Sequence, residues 1–278
     1  VFIKNEPHKK TKIDSGFLRL ISNVSFLDEL IDRLLFGPQN EKEIDNWLDC
    51  PSKPGIGFTD EMMENFYDRV MANNHSMAEG DLSSWDWTVQ GWELMAEAEM
   101  RIRLATLDPE SIAAKLMRNR IYCVGLSVFV LSDGSMYAQT IAGVMLSGWY
   151  NTSSSNSRIV RLISLLSGAN WSVHMGDDFI SDYVPGFKKG IEEFGHILKV
   201  YRPFESAFEF CSTNFPSKVP SNKWKMFVKL LANGTKVWTE RLALYWDWMY
   251  QMRHHPDREV LIPLIEASGF LDENLGSH

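Results

Sequence analysis

The chain has 278 residues, 45% of them apolar, enough to bury a large core in one domain or two. A formal charge of −8 argues at first against a nucleic-acid partner, and three scattered cysteines, Cys50, Cys123 and Cys211, exclude a disulfide framework or a recognisable zinc site. The longest apolar run, Ile121 to Leu131, falls far short of the roughly 18 residues that mark a membrane span, and Lys4, Glu6 and Lys9 interrupt any signal peptide.

The charge is unevenly spread. Residues 1 to 20 carry Lys4, Lys9, Lys10, Lys12 and Arg19 against Glu6 and Asp14, whereas Asp28 to Glu110 is acidic, so a basic arm on an acidic body stays compatible with RNA. Val1 in place of an initiating Met points to a fragment, a processed product or a trimmed chain. The cysteines read as buried thiols in a reducing compartment.

In chain order, residues 1 to 25 form the basic arm and run into an extended segment, Phe17 to Val24. Leu27, Leu30, Ile31, Leu34 and Leu35 repeat at helical spacing up to Gly37-Pro38, which should end that helix. After the loop Pro51 to Gly57, Thr59 caps a helix through Met71, with Asp60 and Glu61 in its first turn. Met77 to Asp81 reads as a short strand leading through Ser83 and Ser84 into a long helix from Trp85 to Leu104. Tyr122 to Leu131 is the strongest strand signal, ended by the Asp133-Gly134 turn and paired with Tyr137 to Ile141.

Beyond Ser147-Gly148, Ile159, Leu162, Ile163 and Leu166 mark the buried face of another helix. Trp171 to Met175 and Phe179 to Ser181 flank a hairpin turn at Gly176-Asp177. Residues 186 to 196 read as helix, Leu198 to Tyr201 and Phe208 to Cys211 as strands, and the chain from Trp224 onward as helix broken near His255-Pro256. Helix and strand mix without βαβ alternation, which predicts an α+β fold.

Three aspartates stand out by context. Asp81 ends a strand, and Asp177 and Asp178 occupy a hairpin turn, where adjacent carboxylates repel unless water or a cation screens them. Magnesium suits such a place, since it takes hard oxygen ligands and needs only one or two carboxylates. Two ions about 4 Å apart activate an attacking hydroxyl and stabilise a leaving pyrophosphate. Taken alone, Gly176-Asp177-Asp178 is more often merely a solvated turn. It does not stand alone: Ser147 to Asn156 fits SGxxxTxxxN, which places Thr152 and Asn156 on one helix face, and Asp81 to Asp86 fits DxxxxD.

In that order, and after the start Phe2-Ile3-Lys4-Asn5-Glu6-Pro7-His8-Lys9, these motifs resemble the RNA-dependent RNA polymerases of positive-strand RNA viruses, and the sobemovirus and polerovirus group above all. Arg19-Leu20-Ile21-Ser22, Arg33 to Asn40, Pro51 to Gly57 and Phe210-Cys211-Ser212 add to the resemblance, which runs to about residue 215. It implies a right-hand polymerase fold with fingers, a palm built on an antiparallel sheet, and a helical thumb. The expected segments are fingers at 1–75, palm at 76–108, an insertion at 109–140, palm again at 141–215 and a partial thumb at 216–278. The resemblance also implies an N-terminal truncation, because a family segment that precedes the basic arm is absent.

The resemblance further assigns Asp81, Asp177 and Asp178 as metal ligands, assisted by the Leu82 carbonyl, with Mg2+ as cofactor and Mn2+ able to substitute. Asp86, Thr152 and Asn156 would read the ribose 2′-hydroxyl. Ser147-Gly148 would lie under the templating base. Lys4, Lys9 or Lys12, and Arg19 would neutralise triphosphate charge. Lys199 would protonate pyrophosphate, with Lys188 and Lys189 as competitors, and Glu209 to Ser212 would support the primer strand. His174, His254 and His255 would have structural or exposed roles. The implied partners are an RNA template, nascent RNA, ribonucleoside triphosphates and a viral genome-linked protein, in a membrane-associated replication complex of the host cytoplasm. The competing readings are a reverse transcriptase, a non-catalytic RNA-binding module derived from a polymerase, and a metal-dependent phosphatase or nuclease, which leaves SGxxxTxxxN unexplained.

Overall fold

The computed structural model describes residues 1–233 and 235–273; the last residues of the expected thumb segment, 274–278, lie outside the described residues. The chain divides into two compact units that interleave along the sequence. One comprises Val1–Lys4, Arg19–Gly57 and Asp68–Ser206; the other comprises Asn5–Leu18, Phe58–Tyr67 and Ala207–His278.

The first unit is built on a four-stranded antiparallel sheet, in the order Ser172–Met175, Asp178–Asp182, Met77–Ser83, Ile197–Phe204. The helix Thr152–Leu166 packs on the Ser172–Met175 strand, the helix Phe187–Glu193 packs on Ile197–Phe204, and the two helices touch. Phe179, Phe187, Ile159, Ile163 and Leu198 fill the space between, continuous with Trp85, Leu94, Ile102, Met117 and Ile121 from the helical part of the unit. The central strand carries Glu79 inside the fold, where Arg202 on the adjacent strand pairs with it.

Several expected boundaries move, each for a physical reason. The helix that should stop at Gly37-Pro38 runs unbroken from Phe26 to Asp45. Proline removes one backbone donor, but the second half is held by side chains: Asn40 donates to Asn151 at 2.9 Å, and Glu43 accepts from Arg158 at 2.7 Å. The long helix from Trp85 is two helices, Trp85–Thr88 and Gly91–Leu104, because Gln90 and Glu93 form a capping box that starts the second.

Tyr122 to Leu131 is mostly not a strand. Its first part ends the helix Ile112–Gly125, in which Ala114, Met117, Ile121 and Val124 are buried at spacings of three and four, and only Val128–Val130 pairs with Met136–Ala138. A short apolar run fits either period, and burial on one helical face decides. On the helix Thr152–Leu166 the buried face is Ile159, Val160 and Ile163, while Leu166 is exposed. The arm holds a short helix, Lys10–Asp14, and its extended part shrinks to Leu20–Ile21, paired with Phe2–Ile3. None of the three free thiols is fully buried, and Cys123 is exposed.

In the second unit a three-stranded sheet, Phe208–Phe210, Thr213–Phe215 and Val219–Pro220, stacks Phe208, Phe210 and Phe215 around Phe66. The helices Lys223–Leu231, Trp238–Gln251 and Arg258–Ala267 close on a core of Leu230, Trp248, Met252, Leu261, Ile265 and Phe270.

Candidate active site

The hairpin turn at Gly176-Asp177 joins two strands of the sheet, and of its two residues only Gly176 takes a left-handed φ, +65°. This is the pattern that places glycine first in a tight hairpin turn. The turn sets Asp177 at the tip and Asp178 at the head of the next strand, where Asp178 lies directly across from Asp81 in the antiparallel register. Asp81 and Asp178 therefore stand opposite each other on two neighbouring strands, with Asp177 in the adjoining turn at the same end of the sheet. Burial raises the Asp177 carboxyl above the usual carboxylate range, and the charges of Asp81 and Asp86 push in the same direction.

On the other side of Asp81 the sheet is irregular. Asp81 pairs with Val200 and Leu82 with Leu198, so Lys199 is the extra residue of a β-bulge. Bulges re-aim side chains, and here the Lys199 ammonium reaches Asp81 in an ion pair. That hydrogen bond raises the Lys199 pKa, reinforced by the charges of Asp81, Asp177 and Asp178. The competitors point elsewhere: Lys188 and Lys189 each meet a glutamate one turn along their own helix, Glu192 and Glu193, at 3.7 Å.

Asp86 and Asn156 come together from separate elements, as the spacing of the motifs requires. The Asn156 amide donates to Asp86 Oδ1 at 3.0 Å and accepts from Trp85 Nε1 at 2.9 Å, which fixes which way the amide faces. Burial raises the Asp86 carboxyl, opposed by the Asn156 hydrogen bond and by the charge of Arg19. Arg19 also lowers Asp177, so its guanidinium lies within electrostatic reach of both carboxylates. Lys4 sits beside it just past the strand pair, its backbone N–H donating to the Arg19 carbonyl at 2.8 Å.

The Thr152 hydroxyl lies 2.6 Å from the Leu146 carbonyl and 2.8 Å from that of Trp149, so it ties down the loop before the helix. Ser147 Oγ donates to the Leu20 carbonyl at 2.9 Å, and Gly148 bridges to Asn23. A Cβ at Gly148 would lie 2.7 Å from both Asn23 Oδ1 and the Ser22 carbonyl, so only glycine allows that approach. The segment bearing Arg19 is thereby joined to the Ser147-Gly148 loop. Lys9 and Lys12 belong to the second unit, on and before its short helix, as do Glu209 to Ser212, and their candidacy rests on sequence. His174 is buried, well below its ordinary pKa because of that burial, and stacks on Phe179; His254 pairs with Asp60.

Sequence reasoning missed Trp85 and the residue after Asn156, Ser157, whose Oγ accepts the Gly176 N–H at 2.9 Å. It also missed a buried cluster of Glu97, Arg101 and Arg158 behind the Asn156 helix. Position immediately after the last residue of SGxxxTxxxN was the one available hint for Ser157. Nothing in the sequence distinguished Glu97 and Arg101 from an ordinary exposed helical pair.

A family model described as viral RNA-directed RNA polymerase matches residues 1–219. The chain is 43% identical over 222 residues to the replicase polyprotein P2AB of Southern bean mosaic virus, an overlap of 76% of this chain and 23% of that one. It is 41% identical over 230 residues to the RNA-directed RNA polymerase of Mushroom bacilliform virus, covering 77% of this chain and 54% of the other. With the protein P1-P2 of Potato leafroll virus it shares 37% identity over 290 residues, covering 95% and 26%. The chain thus spans about a quarter of the P2AB polyprotein and of protein P1-P2, and about half of the mushroom virus polymerase. Among solved structures, the RNA-dependent RNA polymerase of a human picorbirnavirus matches with a TM-score of 0.70 at 12% identity, covering 94% of this chain and 54% of that one.

Proposed function

The chain belongs to the viral RNA-directed RNA polymerase family, and from that premise we propose that its first unit carries the catalytic centre for joining ribonucleotides on an RNA template. Its mixed helix and sheet arrangement has the polymerase fold of the picorbirnavirus structures. The observation that carries the functional reading is the register of the sheet: Asp81 stands across from Asp178, with Asp177 in the adjoining turn. In this reading residues 76–108 and 141–215, with the four-stranded sheet, are the palm, 1–75 the fingers, 109–140 a fingers/palm insertion, and the helices after residue 216 the thumb.

The donor set suits a hard divalent cation. Magnesium takes hard carboxylate oxygens and completes its shell with phosphate and water. The raised Asp177 carboxyl, crowded by Asp81 and Asp86, is a charge that a cation would settle. Asp81, Asp177 and Asp178, with the Leu82 carbonyl, would hold magnesium, or manganese in its place. When bound, such ions activate the attacking hydroxyl and stabilise the leaving pyrophosphate.

The chain's own residues do the rest. Arg19 and Lys4 neutralise triphosphate charge. Lys199, already protonated beside Asp81, supplies a proton to the departing pyrophosphate. Asp86 and Asn156 hold a polar pair that accepts from and donates to a ribose 2′-hydroxyl, with Thr152 setting the loop beside them. Ser147-Gly148 supports the templating base. The partners in this reading are template and nascent RNA, ribonucleoside triphosphates and, through the family resemblance, a genome-linked protein, in a membrane-associated complex of the host cytoplasm. No helix among the described residues is long and apolar enough to cross a membrane.

The test is incorporation of labelled ribonucleotides on a primed RNA template with magnesium, comparing the unaltered chain with Asp177→Ala. Templated extension abolished by the substitution is the expected result. A folded chain that binds primed RNA yet extends nothing, with or without manganese, would favour a binding module over an enzyme.

A further inference from the structure

Ser157 follows Asn156 on the helix Thr152–Leu166 and is fully buried. Its Oγ accepts the N–H of Gly176 at 2.9 Å and donates to the Ser153 carbonyl at 2.8 Å, so the hydroxyl is held in one orientation. The two-residue hairpin turn engages Met175 and Asp178 in the ladder and leaves the N–H of its first turn residue without a strand partner. Here that N–H is bonded to a side chain 19 residues earlier in the chain. A second contact, Ser153 Oγ to Met175 Sδ at 3.6 Å, meets the same end of the hairpin.

Three consecutive helical residues thus make three separate attachments. Asn156 reaches Asp86 and Trp85, Ser157 reaches the turn that carries Asp177, and Arg158 is clamped by Glu97 at 2.9 Å and Glu43 at 2.7 Å. The Arg158 contacts are buried and charge-assisted, which makes the helix a fixed base rather than a sliding one. From this base we infer that Ser157 is a positioning residue: its hydroxyl sets Asp177 and Asp178 against the Asn156–Asp86 pair, so that one helix aligns the metal-holding turn with the ribose-reading pair. Without the hydroxyl, the Gly176 N–H must turn toward water, and the two aspartates that follow turn with it.

The inference rests on the polymerase reading, and its deciding measurement does not depend on catalysis. Manganese binding to the unaltered chain, to Ser157→Ala and to Ser157→Thr is followed by the electron paramagnetic resonance signal of the free ion. Alanine suits a helix interior, so Ser157→Ala keeps its fold, checked by circular dichroism. The expected result is manganese affinity weakened about fivefold in Ser157→Ala, the factor one neutral hydrogen bond is worth, and restored in Ser157→Thr, which keeps the acceptor. The companion readout is the ratio of ribonucleotide to deoxyribonucleotide incorporation on a primed template, which falls in Ser157→Ala and recovers in Ser157→Thr. Unchanged manganese affinity in a folded Ser157→Ala protein overturns the inference, whatever its melting temperature. A chain that binds manganese with the expected pattern but extends no primer retains the positioning role and defeats the polymerase reading. Absence of manganese binding by the unaltered chain defeats both.

Discussion

In the first unit, the helices behind the candidate site share an apolar core and are joined in addition through buried charge. Glu97 and Arg101 are both fully buried at 2.7 Å, and Glu97 also accepts from Arg158 and from Ser155, while Arg101 spreads its remaining donors over Asn40, Ser154 and Ser155. Burial, and then the neighbouring Arg158, lowers Arg101 to about 10, which still leaves it charged at neutral pH. In the second unit, three helices meet through Leu230, Trp248, Met252, Leu261 and Ile265, and the deeply buried Arg241 is bonded to the main-chain carbonyls of Lys236, Phe270 and Asp272. Apolar contacts stabilise helices but tolerate small slides. A buried ion cluster stabilises little, yet penalises any arrangement in which donors and acceptors miss. The charged joint occurs where the helix bearing Asn156 and Ser157 must keep its place; the apolar joint occurs where no candidate site residue depends on it.

The largest expected effect comes from breaking the charged joint. Glu97→Ala strands Arg101 in the interior and leaves Arg158 with Glu43 alone, and urea denaturation should show a loss of about 4 kcal/mol, as for removal of one partner from a buried pair. A loss below about 1 kcal/mol would mean that water reaches the cluster, and the contrast between the units would collapse. Next comes Ile265→Ala in the apolar joint, with an expected loss of about 3 kcal/mol by the same measurement. Manganese affinity distinguishes the two: Glu97→Ala should weaken it, and Ile265→Ala should leave it unchanged.

The same contrast explains what could be read from the sequence. Turn chemistry and motif spacing are local, so Gly176-Asp177-Asp178, the Asp86–Asn156 pairing and the hairpin around the turn were legible. The register that sets Asp81 across from Asp178 was not legible, because it depends on pairing between strands far apart in the sequence. Burial of charge is not local. Glu97 and Arg101 carry the ordinary i,i+4 spacing of a solvated helix face, and only the packing of three helices shows them to be interior. For the same reason the helix through Pro38 was unreadable, since the bonds that hold its second half come from Asn151 and Arg158, far along the chain. Tyr122 to Leu131 failed because a short apolar run does not state its period; Met117 and Ile121 settle it by facing the core.

The smallest effect sharpens the comparison by sign. Asp60, in the second unit, is held at about 2 by hydrogen bonds from Arg253 and His254, below the ordinary carboxylate value of 3.8. It contributes stability that is present above the ordinary value and lost as pH falls through about 2. Asp86, in the first unit, is raised by burial, so its folded state prefers the proton. Its penalty is absent below the ordinary carboxylate range and fully present above its raised pKa, so stability is lost as pH rises through that interval. In metal-free buffer, therefore, Asp60→Asn should lower the thermal midpoint at neutral pH, with the deficit closing in acid. Asp86→Asn should raise the midpoint at neutral pH, with the gain vanishing in acid as the unaltered carboxyl takes up its proton. Shifts of the same sign in both variants would show that burial does not govern Asp86, and that water screens the two units alike. Opposite signs would place the electrostatic cost in the unit that bears the site, beside the residues whose charges a bound cation and a triphosphate would compensate.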